Sequence, residues 1–140
     1  MNPIAQRGVI QNRNRRQQIA DMSGLRYGNI TPTDLDAFMD FGDRLFVFIE
    51  GKFIGTPMSR GQMVAIERLC DACNNRPRRF SFAIIADHFS PADEDIDFAN
   101  MTVRAIRQNG RWTTPLQHGL TLRTAIDKMR AFVANVMDRK

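Results

Sequence analysis

Three charged residues stand where an ordinary buried strand carries none: Asp36 at the start of one β-rich run, and Glu50 and Lys52 at the close of the next. Side chains alternate faces along a strand, so Glu50 and Lys52 point the same way. If the two runs pair as a hairpin, Asp36 comes beside Glu50. Carboxylates that close repel, so a cation must neutralise them or one must take up a proton. A hard divalent ion suits the pair, because Mg²⁺ takes one or two carboxylates and fills its other positions with water and substrate phosphate. Asp36 and Glu50 would hold that ion, and the Gly51 carbonyl could add an oxygen. An ion there lowers the pKa of water enough for attack on phosphorus. Lys52 would orient that water or steady the charge that develops on the phosphoryl oxygens.

The elements that must position these residues can be read on either side. Residues 35–41 and 44–50 read as two strands joined by a Gly42-Asp43 turn. The second is nearly all apolar, as expected of a central strand covered on both faces. Met63, Ile66, Leu69, Cys70 and Cys73 recur at helical steps and predict a helix over 59–74, which Pro77 cannot continue. Residues 80–86 read as another buried strand, and 100–107 as a strand turning at Asn109-Gly110 into Arg111-Trp112. Leu122, Ile126, Met129, Val133 and Met137 mark a C-terminal helix opening at Thr121. At the other end, Ile4, Val9, Ile10, Ile19 and Met22 predict a helix over 4–22 that closes near Gly24. With a further short strand after the hairpin, the order is α-β-β-(β)-α-β-β-α. The fold class expected is α/β (α+β mixed): a small central mixed β-sheet flanked by helices, in a single domain over 1–140.

Composition bounds the rest. The 140 residues suit one domain that needs no disulfide staples. No apolar run approaches a membrane span, and the N-terminal segment has no apolar h-region, so the chain reads as cytoplasmic. The net charge of +5 favours a polyanionic partner. Arginine predominates, in clusters at Arg13, Arg15 and Arg16, at Arg76, Arg78 and Arg79, and at Arg104, Arg107 and Arg111. Cys70 and Cys73 form a lone CxxC with no second pair at zinc-site spacing, and read as buried structural thiols.

The Asp36 and Glu50-Gly51-Lys52 pattern, fourteen residues from Asp to Glu, is followed by a helix opening Ser59-Arg60-Gly61-Gln62 and a strand from Phe80. This run resembles the core of the PD-(D/E)XK nuclease superfamily, in the branch holding VRR-NUC domains and Holliday-junction resolvases. The resemblance covers residues 10–88 and implies a restriction-endonuclease-like core. It implies a Mg²⁺- or Mn²⁺-dependent endonuclease hydrolysing DNA phosphodiesters, with Asp36, Glu50, Lys52 and Gln62 catalytic and Asp36, Glu50 and Gly51 on the metal. Arg13, Arg15, Arg16, Arg60, Arg78 and Arg79 are the candidates for the nucleic-acid backbone. So small a domain leaves little surface for base readout, so double-stranded or branched DNA cut by structure rather than sequence is expected. A homodimer and a phage or mobile-element origin belong to the same resemblance.

Two features depart from the family pattern. Many members carry a first-helix Glu on the metal, whereas this chain offers only Gln17, Gln18 and Asp21 there, which favours one-metal chemistry, or a water-mediated contact from Gln17, over a full two-metal site. Asp34 also stays open beside Asp36 as the ligand. The alternative is a non-catalytic module on the same fold, an accessory or inhibitor protein binding nucleic acid or a host protein. Among weaker candidates, His88 and His118 read as structural, the acidic loop at Asp93, Glu94, Asp95 and Asp97 as solvated, and Asp40 and Asp43 as turn-flanking. Trp112 reads as a core anchor before a base-stacking platform.

Overall fold

The computed structural model describes residues 21–138, and the chain divides into two compact units, 1–32 and 33–140. In the first unit the described part is a 3₁₀ turn at Ser23–Leu25 and a bridge between Tyr27 and Ile30. The helix expected over 4–22 lies, but for its last two positions, outside the described residues.

The second unit is built on one mixed sheet of five strands in sequential order, β1 (Ala37–Phe41), β2 (Leu45–Phe53), β3 (Phe80–His88), β4 (Thr102–Gln108) and β5 (Arg111–Thr113). Two helices pack on it, α1 (Arg60–Cys73) and α2 (Leu122–Asp138). The expected mixed sheet flanked by helices is what the chain forms. The extra strand allowed for after the hairpin is not there, and residues 54–59 run as a turn and loop into α1.

Turn chemistry sets the hairpins. Gly42 and Asp43 both take positive φ, 64° each, and Arg44 donates its N–H to the Phe41 carbonyl at 3.2 Å. Two successive left-handed residues make a turn whose twist matches that of the strands, and Asp tolerates the conformation better than most side chains. Asp40 Oδ1 accepts from the Asp43 N–H at 2.7 Å and secures it. Asn109-Gly110 repeats the device between β4 and β5, with φ of 49° and 75°.

β2 and β3 are joined through α1 and pair in parallel, in register from Leu45↔Phe80 to Phe53↔His88. Both strands are buried on both faces, which explains their continuous apolar runs. On one face Leu45, Val47, Ile49, Phe80, Phe82 and Ile84 pack with Val103 against Leu122, Ile126, Met129 and Val133 of α2. On the other, Phe48 and Ala83 pack against Ile66 and Cys70 of α1. Ser59 caps α1, its hydroxyl accepting from the Gln62 N–H at 3.2 Å. Thr121 does the same for α2, accepting from the Thr124 N–H at 3.2 Å.

Ile84 sits at the centre of the sheet with no exposed surface. Ile84→Ala is expected to cost about 2–5 kcal/mol in chemical denaturation, since neighbours on a central strand cannot collapse into the space. A loss under about 1 kcal/mol would mean the two layers repack independently of the strand between them.

Candidate active site at the carboxyl ends of the parallel strands

β2 runs three residues past Glu50, so Gly51 and Lys52 remain in the ladder and strand alternation is enforced there. Residues 46, 48, 50 and 52 face α1, while 45, 47, 49 and 51 face α2. Ala37 is the partner of Ile49, so Asp36 lies just beyond the β1 ladder, beside Glu50. Its Oδ2 accepts the Gly51 N–H at 2.8 Å. Gly51 is a glycine for a steric reason: a Cβ there would stand 3.1 Å from the Met101 Sδ on the α2 face.

Gln62 joins the two charged residues of β2. Its position, three residues after the capping Ser59, is one from which a glutamine often turns back to the cap. Here it reaches the sheet instead. Gln62 Nε2 donates to Glu50 Oε1 at 3.2 Å, and Lys52 Nζ donates to Gln62 Oε1 at 3.0 Å. The Lys52 ammonium stands 3.9 Å from the same Glu50 oxygen. Glu50 itself is only 5% exposed. Burial pushes its carboxyl above the ordinary glutamate range and the Asp36 charge adds to that; Lys52, the Asp36 backbone amide and Gln62 pull the other way without cancelling it.

The donor set fits a hard divalent cation of limited demand. Asp36 and Glu50 supply two carboxylates, and Mg²⁺ needs no more from a protein when water and phosphate complete its shell. Among the described residues no group of three or more His, Cys, Asp and Glu gathers to cage a metal. Asp34, the other aspartate considered, lines a pocket of about 90 Å³ together with Thr33, Leu35, Glu50, Met58 and Gln62. Asp36 is the carboxylate bonded to the Glu50-Gly51-Lys52 segment and the one whose charge acts on Glu50.

Other candidates lie elsewhere. His88 is the register partner of Phe53, so it projects to the α2 face, away from Glu50; its ring meets Phe53 edge-on and its Nδ1 accepts from the Ser90 N–H. His118 is in an exposed loop. Arg78 and Arg79 bond Asp43 at the opposite end of the parallel pair. Arg60 opens α1, two residues before Gln62, and is exposed. Arg13, Arg15, Arg16, Gln17 and Gln18 lie outside the described residues, and Asp21 accepts from Ser23. Trp112 is half-buried against the α1-side core. Cys70 is buried and Cys73 partly so, both thiols free, and burial raises the Cys70 pKa.

Asp87 escaped the sequence reading as a neighbour of the site. It is the register partner of Lys52 and so shares its face. The only signal for this would have been the exact parallel register, which neither strand states alone.

No protein-family model matches the chain, and no curated protein or solved structure matches it.

The raised Glu50 pKa has a definite sign for stability. Folded protein holds that proton more tightly than the unfolded chain, so stability falls as pH rises from the ordinary glutamate value to the raised one. Glu50→Gln removes the dependence. In chelator, the variant is expected to match the wild type in acid and to melt higher at neutral pH. Thermal melts between about pH 4 and pH 8 test this, and parallel curves would refute the buried-charge account.

Proposed function

We propose that this protein is a Mg²⁺- or Mn²⁺-dependent endonuclease that hydrolyses DNA phosphodiester bonds, selecting substrates by structure rather than sequence. The observation that carries the reading is the buried Glu50 carboxylate, placed between the Asp36 carboxylate and a Lys52 ammonium that Gln62 ties to it. A stable fold gains nothing from burying a carboxylate whose charge a second carboxylate opposes. Such pairs of strained, coupled ionisable groups mark functional sites.

A divalent cation between Asp36 and Glu50 would supply Lewis acidity at the scissile phosphate. The chain's own residues do the remainder. Asp36, fixed by the Gly51 N–H, presents its carboxylate in one orientation. Gln62 restricts the Lys52 side chain, whose ammonium is the donor for a non-bridging phosphoryl oxygen as negative charge builds there. Arg60, exposed at the start of α1, is placed for the flanking backbone.

The second reading, a non-catalytic module of the same fold, is favoured by the lack of a third metal-ligating side chain among the described residues. One assay separates the two. With supercoiled and branched DNA, cleavage is expected in Mg²⁺ or Mn²⁺ and abolished by EDTA. Lys52→Ala should lower the rate about 100- to 1,000-fold, the usual cost of losing one donor to developing charge. Glu50→Ala should reduce it to background. Cleavage that survives Glu50→Ala, or proceeds in EDTA, refutes the mechanism; well-folded wild type that cuts nothing supports the binding module.

A further inference from the structure

On the face that carries Glu50 and Lys52, the next strand brings a third carboxylate level with the lysine. Asp87 is the in-register partner of Lys52 in the parallel β2–β3 pair. Neighbouring parallel strands lie about 4.8 Å apart, so the Lys52 ammonium has two acidic partners within its reach, Glu50 on its own strand and Asp87 on the next. It stays with Glu50 and Gln62.

What occupies Asp87 is Arg104. Its Nε donates to Asp87 Oδ1 at 2.9 Å and its Nη2 donates to the same oxygen. The pair is largely shielded, with 27% of the arginine and 17% of the aspartate side chain exposed. Arg104 gets there through a break in strand alternation. Ile85 pairs with Ala105 and Ala86 with Val103, so Arg104 is an extra residue in β4, a β-bulge. The bulge lets Val103 enter the α2-side core while Arg104 and Ala105 both turn toward the α1 face.

We infer that Arg104 is a positioning residue: by occupying Asp87 it leaves Lys52 to Gln62 and Glu50, and so sets where the ammonium stands. The inference rests on the nuclease reading for its consequence in catalysis, but its geometric content is independent of that reading. With Arg104 gone, Asp87 is an uncompensated carboxylate beside Lys52 and draws the ammonium across to β3. Removing the carboxylate as well takes away the attraction, and Lys52 returns.

The test uses the full chain with Arg104→Ala, Arg104→Lys and the double variant Asp87→Asn/Arg104→Ala, each checked for an unchanged circular-dichroism spectrum. The protein has three lysines, Lys52, Lys128 and Lys140, so lysine labelled with carbon-13 at Cε gives a spectrum simple enough to follow Lys52 in cation-free protein. The Lys52 signal, assigned from Lys52→Arg, is expected to move in Arg104→Ala, to stay near its wild-type position in Arg104→Lys, and to return in the double variant. Cleavage of branched DNA in Mg²⁺ should fall on the order of 100-fold in Arg104→Ala, as for a catalytic group displaced by an ångström, and recover to within about tenfold in the double variant. A Lys52 signal that does not move in Arg104→Ala overturns the inference. So does a double variant as inactive as Arg104→Ala, which would make Arg104 a direct substrate contact. If wild-type protein cuts no DNA, the nuclease reading fails by itself, and the Lys52 signal still decides whether Arg104 positions the lysine.

Discussion

Burial of the Glu50 carboxylate is the constraint around which this end of the molecule is arranged. An ionised carboxylate withdrawn from water costs several kcal/mol unless partners return what solvation supplied. Each neighbouring element returns a part. β2 brings the Lys52 ammonium, the start of α1 brings the Gln62 amide, and the approach to β1 brings a backbone amide at Asp36. The same segment also brings the Asp36 carboxylate, which works against all three. A structure selected for stability alone would replace that carboxylate. The residual imbalance is a local conflict of the kind proteins keep where they do something.

The arginines show how charge counted along a chain differs from charge presented by a fold. A formal charge of +5 invites the picture of one basic face. Several of the basic groups are spent inside the second unit. Arg79 bonds Asp43 and lies over the Phe46 ring, Arg76 lies 4.5 Å over the Phe80 ring, and Arg107 forks onto Asp71 with Glu67 nearby. Arg107 is itself a buried residue, and its bonds lower the Asp71 pKa, so that pair joins α1 to β4 rather than serving a ligand. Others, such as Arg60, Arg68, Arg78 and Arg111, stay exposed, so the charge this unit presents is smaller than the charge its sequence counts.

The hairpins were legible because their chemistry is local. Gly42-Asp43 and Asn109-Gly110 adopt left-handed backbone that few other pairs accept, and the flanking apolar runs could only be strands. The buried strands and both described helices follow from periodicity, Glu50 and Lys52 stand out as residues that a buried strand has no reason to carry, and Gln62 is indicated only by the family resemblance. What escaped the reading depends on register. Asp87 stands beside Lys52 because β2 and β3 align Leu45 with Phe80, and Arg104 reaches Asp87 because β4 bulges by one residue. A shift of one residue would have sent each to the opposite face. His88 illustrates the converse, since it is adjacent in sequence to a site neighbour yet points away from the site. The strand mouth favours Asp36 over Asp34 in the sequence, and in the structure Asp36 accepts the Gly51 N–H from that place.

On the proposed reading, folding and cation binding would be coupled at Glu50, and the coupling would run one way. Lys52 and Gln62 do not fully offset the carboxylate's burial, so the cation-free fold carries a cost that only a proton or a metal removes. A proton does so at the expense of the charge a metal ligand needs. A divalent cation at the proposed site would keep both carboxylates ionised, and it would bind the folded site far better than the dispersed residues of the unfolded chain, so its binding energy would add to stability. Met101 against Gly51 and the Ser59 cap on α1 hold the strand end and Gln62 in place without that help. The strand end is therefore shaped without a cation, and the conflict between Asp36 and Glu50 would become part of the affinity for any ion that resolved it.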